Sequence, residues 1–217
     1  ELRTTVLKFQ EMQATAGTVI VSKSAGVLAA DATTAASIGG SFTLSVKDSD
    51  AGAALFAVND VLWIKTWTGA AIVSIYCTVT VVGSPSGGAR NYTVTLNSGS
   101  TSTTVRAGTA VADYGPANTG AITLSADGAV GSSANISIVR HAGSPWSAQT
   151  LLARLGNLNG SYGLATDAHG IGLGDYSAGN YMFYDNSRGF ELRAGAGAVG
   201  IDANGIRLTK GGGSSVG

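Results

Sequence analysis

The sequence has little of what enzymes and metalloproteins use for chemistry. It holds one cysteine and two histidines in 217 residues, and only 12% of its residues are charged. A single cysteine, Cys77, cannot form an internal disulfide, and no cluster of cysteine and histidine predicts a zinc site. The 13 basic and 13 acidic residues cancel, and no stretch gathers Lys and Arg as a phosphate-binding surface would. We therefore expect no metal, no cofactor and no nucleic-acid partner.

Long apolar runs are also missing. The longest, Ala70 to Cys77, is interrupted by Ser74 and falls well short of the ~20 residues that a membrane helix needs. We therefore expect no membrane insertion. The chain begins at Glu1 without a methionine or signal sequence and ends in a run of glycine and serine. These ends predict a fragment of a longer protein with a flexible tail over 211–217.

What the sequence does have is alternation of apolar and polar residues, which places successive side chains on opposite faces of a β-strand. The longest pattern puts Val73, Ile75, Cys77, Val79 and Val81 on one face. Cys77 is then a core residue and not a reactive thiol. Shorter runs alternate in the same way, namely Phe42-Leu44-Val46, Leu62-Ile64, Tyr92-Val94-Leu96, Ile122-Leu124 and Ile136-Ile138.

Turn-forming residues separate these runs, and 32 glycines supply the positive φ that tight turns need. Turns are expected at 84–88, 97–100 and Asp127-Gly128. We predict an all-β fold of short antiparallel strands. Its parts are a pair of leading strands over 1–28, a small β-barrel or sandwich over 29–115, a connecting β segment over 116–150 and a glycine-rich β-repeat region over 151–210.

One segment also fits a helix. Ser144-Pro145 is a possible N-cap followed by proline at the first helical position, and the helix would end before Gly156. Leu151, Ala153 and Leu155 nevertheless alternate as in a strand. Both interpretations stay open from the sequence alone.

A small unit recurs in the C-terminal third, in which a turn glycine starts a brief apolar strand. The copies are Gly163-Leu164, Gly170–Leu173, Gly189–Leu192 and Gly205–Leu208, with turns expected at 185–189 and 202–205. Strands of three or four residues bury too little apolar surface to be stable alone. Such segments stack on neighbours or pair with other chains, so this region is predicted to oligomerise.

Several segments of this region carry a resemblance. They are Arg154–Gly160, Tyr162–Leu164, Gly174-Asp175, Asn180-Tyr181, Tyr184-Asp185 and Gly189–Arg193, with Phe56–Leu62, Val105–Gly108 and Val111–Gly115 upstream. Together they resemble the minor tail and tail-fibre proteins of tailed phages and prophages. The resemblance implies a non-enzymatic virion component of the tail, a homotrimer that contacts other tail proteins and helps to present the surface that attaches to a host receptor.

Two other functions are open. A glycan-binding adhesin would use exposed aromatic rings, and the densest aromatic cluster is Tyr176, Tyr181, Phe183 and Tyr184. We take Tyr176, Tyr181 and Tyr184 as the candidate glycan-binding residues, with a trimer or sheet core as the rival role. A tail-spike depolymerase would need paired carboxylates. Asp175 and Asp185, with Glu191 nearby, are the candidates, although turn formation explains both aspartates.

The remaining motifs favour structural roles. The segment from Gly195 to Gly200 has the spacing of a dinucleotide-binding fingerprint, but β-like segments flank it on both sides and a turn is expected. His169 is expected at a surface or interface. The 47–50 segment lacks the glycine and distal glutamate of a calcium loop, so a solvated turn is expected. Trp63 lies in an apolar strand and is expected in the core, while Trp67 and Trp146 stay ambiguous.

Overall fold

The computed structural model describes residues 18–48, 53–126, 134–195, 197–202, 205–210 and 214–216. Every regular element within these ranges is a β-strand, and all strand pairings with a described register are antiparallel. The predicted all-β class is therefore confirmed. Within the same ranges, no helix has the length and apolar character that crossing a membrane would require.

The strands are numbered in chain order. They are β1 (Thr18–Val21), β2 (Ser24–Val27), β3 (Ala32–Thr33), β4 (Ser41–Lys47), β5 (Val61–Trp67), β6 (Ile72–Ser86), β7 (Ala89–Leu96), β8 (Thr104–Val105), β9 (Ala110–Asp113), β10 (Gly120–Ser125), β11 (Asn135–His141), β12 (Gln149–Asn157), β13 (His169–Asp175), β14 (Asn180–Asp185), β15 (Gly189–Ala194), β16 (Gly197–Asp202), β17 (Gly205–Lys210) and β18 (Ser214–Val216).

The chain divides into two compact units. Of the described residues, the first unit comprises 20–48, 53–121 and 140–149, and the second comprises 18–19, 122–126, 134–139, 150–195, 197–202, 205–210 and 214–216. The range predicted as a β-barrel, 29–115, lies inside the first unit. The range predicted as a β-repeat region, 151–210, lies inside the second.

The first unit contains a six-stranded sheet in the order β2-β9-β5-β6-β7-β4 and a two-stranded sheet of β3 and β8. Leu28, which follows β2, forms a bridge with Val46 of β4, so the two edge strands of the larger sheet approach each other. The sheet therefore curls around its own apolar face. That face carries the alternating residues predicted for the core, including Leu44, Ile64 and Cys77, all fully buried.

The pattern predicted for β6 is correct only as far as Val79. Val81, expected on the core face, is 55% exposed. The register shifts between Val79, opposite Val94, and Val81, opposite Thr93. This β-bulge inserts one extra residue, and because side chains alternate with period two, the side chains after it change face until a second register shift between Val82 and Pro85.

The second unit is dominated by a β-meander, defined here as β12 to β18. These strands are sequential neighbours in a ten-stranded sheet that also includes β1, β10 and β11. Gly189 and Gly205 begin β15 and β17 with φ of 87° and 117°, which confirms two of the repeated units. Gly163 starts no strand. Gly170 lies inside β13 without a positive φ, so the prediction that it is a turn glycine was wrong.

Two further expectations need correction. The helix considered from Ser144 is absent, since a single turn at Ser144 to Ala148 leads directly into β12. Pairing with β13 gives the backbone of β12 its hydrogen bonds, and the alternation of Leu151, Ala153 and Leu155 was the better signal. The tail predicted as flexible contributes β18, which pairs with β17. The turn expected at Asp127-Gly128 lies outside the described residues.

Candidate functional site

The aromatic cluster of the second unit packs on one face of the β-meander. Alternation along β14 places Tyr181, Phe183 and Asp185 on this face, and all three are buried. The loop after β12 folds back over the strand and adds Leu158 and Tyr162. The rings of Tyr181 and Phe183 are stacked with centroids 5.8 Å apart, and Tyr162 lies 6.4 Å from Phe183. The cluster is therefore a small core built by the chain itself.

Glycines in β13 make room for this core. A Cβ on Gly172 would collide with the ring of Tyr162, and one on Gly170 would collide with the carbonyl oxygen of Tyr184. The repeated glycines of this strand therefore permit close approach of a ring and a backbone, which is a different role from the turn role that the sequence suggested.

An ion pair fixes the loop over the cluster. Arg188 Nε donates to Asp185 Oδ2 at 2.8 Å, its guanidinium lies 3.9 Å from the centroid of the Phe183 ring, and its Nη1 donates to the carbonyl of Tyr162 at 2.9 Å. Burial alone would raise the pKa of Asp185, but hydrogen bonds from Ser187 and Arg188 outweigh it and hold the pKa below 3.8. Asp185 is thus a structural anion under the loop.

The three candidate tyrosines do not form one surface. Tyr181 is only 5% exposed and donates its hydroxyl to Glu191 Oε1 at 2.6 Å, so its ring belongs to the core. Tyr176 is 42% exposed, with its ring 4.7 Å from that of Tyr181. Tyr184 is 53% exposed on the opposite face of β14. The expectation of a shared exposed cluster therefore needs correction, and glycan binding stays a prediction for Tyr176 and Tyr184 separately.

The candidate carboxylates are also separated. Asp175 lies opposite Asn180, and Asp185 lies five residues further along β14, so their backbones are about 17 Å apart at 3.3 Å per residue. Glycosidases hold their two carboxyl groups within about 9.5 Å of each other. Asp175 accepts from Ser177 and Ala178, and Asp185 accepts from Ser187 and Arg188, as turn-forming aspartates do. The turn interpretation of both residues is confirmed.

The opposite face of the β-meander carries two apolar rows. Cross-strand partners in the first row are Leu155, Ile171, Tyr184, Phe190, Ile201 and Ile206. Those in the second are Ala153, Leu173, Met182, Leu192, Val199 and Leu208. We call these residues together the two-row face. Eight of the twelve are exposed large hydrophobic side chains. A contiguous exposed apolar surface of this kind is typical of an interaction site.

The two-row face continues onto β11. Arg154 Nε donates to Ser137 Oγ at 3.0 Å, so these two side chains lie on the same side of the adjacent strands β12 and β11. By alternation Ile136 and Ile138 lie on the other side, together with Ala153 and Leu155. Both isoleucines are exposed, whereas Asn135, Ser137 and Val139, which alternate with them, are buried. The alternation of Ile136 and Ile138 predicted a strand correctly, but these two residues face outward.

The first unit contains buried charges that the sequence analysis missed. Asp48, expected in a solvated turn, is buried and accepts hydrogen bonds from Arg90 Nε at 2.8 Å and from the Tyr92 hydroxyl at 2.9 Å. Burial, followed by the bond to Asp48, raises the pKa of Tyr92 to about 12. The alternation of Arg90 with Tyr92 and Val94 was the signal, because it places the arginine on the core face of β7.

A second buried group joins two aspartates of the first unit. Lys23 Nζ donates to Asp60 at 2.7 Å and lies 4.0 Å from Asp113 Oδ2. Burial and the nearby Asp60 carboxylate raise the pKa of Asp113 to about 6, although hydrogen bonds from Ser24 and Gly115 and the charge of Lys23 oppose the rise. These contacts tie β2, β5 and β9 together. They make this group a structural one.

The remaining candidates have structural surroundings. Gly195 closes the hairpin between β15 and β16, which confirms the turn expected there, while Ala196 lies outside the described residues. His169 is exposed at the start of β13. Trp63 is buried, as predicted, and Cys77 is a buried free thiol whose pKa is raised by burial. Trp67 is exposed beside Ile72 at the end of the β5–β6 hairpin.

Comparison with protein-family models, with curated proteins and with solved structures found no match to this chain. In the part of the chain that the structure describes, no three His, Cys, Asp or Glu side chains lie together as a metal site would require. The two-row face is the feature of the described residues that a fold alone does not explain. The sequence contained its signal, since three of the four repeated units place apolar residues two apart, as in Ile171 and Leu173.

Proposed function

We propose that this chain is a non-enzymatic structural segment of a bacteriophage tail tip or tail fibre. It works in the virion, associates with further copies of itself and with other tail proteins, and supports attachment to the host. The homotrimeric state and the tail location rest on the resemblance of the repeat segments to minor tail and tail-fibre proteins.

The two-row face is the observation that carries this proposal. Short strands that expose their apolar side chains to water gain little from folding alone, because hydrophobic stabilisation scales with the area removed from water. Such strands therefore need a partner that covers their apolar face. In a permanent particle, neighbouring subunits cover such faces for the life of the particle. The separation of Asp175 from Asp185 favours this structural role over a depolymerase that would use that pair.

The location is tested on particles. Antibodies raised against the purified chain are applied to phage particles from a culture that produces this protein, and the particles are imaged with gold-labelled secondary antibody. We expect gold at the tails, and preadsorption with the chain should remove it. Unlabelled particles that lack the chain by mass spectrometry would overturn the proposed location.

A glycan-binding module is the second candidate, and the exposed ring of Tyr176 favours it. This ring packs against Tyr181 on one side and leaves part of its surface to solvent, which suits stacking on a sugar. Tyr176→Ala should then lower binding on a glycan array at least about tenfold, the loss of one stacking contact of roughly 1.4 kcal/mol. Trp67→Ala, which removes an exposed ring of the first unit, is the control. Equal binding by both variants and the unaltered chain would remove Tyr176 from consideration.

A further inference from the structure

We propose that the two-row face is the surface on which a second copy of this chain docks, with the same face of the partner packed against it. The inference rests on the proposed function, because it specifies how the structural segment associates. The resemblance to tail proteins does not assign this surface. We identify the molecule that covers it from the chemistry of its twelve side chains.

The chemistry of the face points to an apolar partner. None of its twelve residues is charged, and the Tyr184 hydroxyl is the one side-chain hydrogen-bonding group among them. The face therefore has no charged side chains that could bind a different protein by electrostatic complementarity. Every copy of this chain presents an apolar face of matching length and width, and two identical faces complement each other about a twofold axis, so this contact is a second one beside those of the homotrimer that the resemblance implies.

The dimensions of the face match those of an interface core. The two-row face and its continuation onto β11 together span seven strands, whose 4.8 Å spacing gives a length of roughly 34 Å; two rows give a width of roughly 13 Å, so the apolar area is roughly 450 Å². A stable interface buries about 800 Å² per partner, a little over half of it apolar. The two-row face thus supplies the apolar half, and a rim must supply the rest.

Polar residues lie where that rim is needed. Alternation along β13 places His169 and Asp175 on the same side as Ile171 and Leu173, one at each end of the strand. Asn180, the cross-strand partner of Asp175, extends the rim onto β14. An apolar centre with polar borders is the anatomy of a protein interface, and it limits the contact to the two rows.

The two faces of the β-meander differ in whether the chain covers them. On the aromatic face of the β-meander, the loop after β12 lays Tyr162 over Gly172 and closes a small core. On the other face, Leu155, Ile201 and Ile206 are exposed. Two sheets that pack face to face lie about 10 Å apart, so a second sheet would bury both rows at once.

The test is a matched pair of substitutions followed by sedimentation equilibrium. Ile201→Asp alters the first row at a side chain that is 44% exposed, and Ile72→Asp alters a strand residue of the first unit that is 45% exposed. We expect the unaltered chain and Ile72→Asp to associate equally. Ile201→Asp should weaken association at least about 100-fold, because each interface would bury an unpaired carboxylate.

A second variant separates loss of association from loss of folding. Ile201→Thr keeps a β-branched side chain suited to a strand, so the sheet should form while the apolar contact weakens. Its far-ultraviolet circular dichroism should match that of the unaltered chain, and its association should fall about tenfold.

The outcomes distinguish the two proposals. If the unaltered chain associates and both Ile201 variants associate as strongly, the docking surface is wrong, while gold-labelled tails would leave the proposed function intact. If the chain is monomeric at every concentration, the docking surface is also overturned. If only the Ile201 variants weaken association and the particles are unlabelled, the surface stands and the tail location fails.

Discussion

The two units use the same alternating sequence pattern with different results. In the first unit the sheet curls until Leu28 meets Val46, and the apolar side chains pack against one another in a continuous buried cluster. In the β-meander, one face is closed by a loop and the other keeps its apolar rows exposed. The comparison shows that alternation specifies a strand, whereas the stability of the strand depends on a second layer of structure that covers its apolar face.

The largest effect should come from truncating the same residue type in the two units. Leu44 is fully buried in the first unit, so Leu44→Ala should lower the free energy of unfolding by about 2–5 kcal/mol. Leu192 is exposed, so Leu192→Ala should cost less than about 1 kcal/mol in the dissociated chain. Urea denaturation at low protein concentration measures both. Equal losses would mean that the β-meander is as closed as the first unit.

A comparable effect is expected from the buried ion pair of the first unit. Arg90→Met leaves the Asp48 carboxylate buried without its cation and should cost about 3–5 kcal/mol. Arg106→Met removes an exposed pair with Asp31 and is the control, with no measurable change expected. The same denaturation assay applies. A neutral Arg90→Met would show that this unit does not depend on its buried charges.

A smaller effect is expected in the aromatic core of the β-meander. Gly172→Ala pushes against the Tyr162 ring and should cost about 1–3 kcal/mol, with loss of the near-ultraviolet signal of the tyrosines. The buried Tyr162 hydroxyl has no hydrogen-bond partner among the described residues. Tyr162→Phe should therefore be neutral or up to about 1 kcal/mol stabilising. Wild-type stability in Gly172→Ala would contradict the close packing.

The last effect concerns pH, and its sign should differ between the units. The pKa of Asp113 is raised to about 6 in the folded chain, so its stabilising contribution is lost as pH rises from 3.8 to about 6. The pKa of Asp185 is lowered, so its contribution is present above pH 3.8 and is lost as pH falls through the folded pKa. Each of these two carboxyl groups changes the number of protons bound on unfolding by less than about one. Asp113→Asn and Asp185→Asn should each remove one of these slopes.

Nuclear magnetic resonance titration of the side-chain carboxyl carbons checks the same prediction directly. Asp113 should titrate above pH 3.8 and Asp185 below it. Titration of both at a common pH would mean that neither carboxyl has the surroundings described.

Local pattern was sufficient to predict much of the fold. Alternation identified β4, β5, β7 and the first half of β6, and the glycines at 189 and 205 located two strand starts. It failed at Val81, because a β-bulge depends on the pairing with β7 and leaves no signal in the strand itself. At Ser144 the sequence left a helix and a strand open, because a helix start and a turn before a strand have the same residues.

The candidate site was less predictable than the fold. The clustering of Tyr176, Tyr181 and Tyr184 in sequence suggested one surface, but β14 alternation divides them between two faces. Which face stays exposed depends on the loop that carries Tyr162. The path of this loop depends on contacts between residues that are distant in the sequence. The apolar pairs in each repeat were visible, but their alignment into two rows required the strand register.

The central claim is that the first unit completes its own core whereas the β-meander is completed by another copy. Amide hydrogen exchange measured over a series of protein concentrations tests it most directly. We predict that protection in β13 to β17 rises with concentration while protection in β4 to β7 stays constant. Equal and concentration-independent protection in both sets of strands would contradict the account.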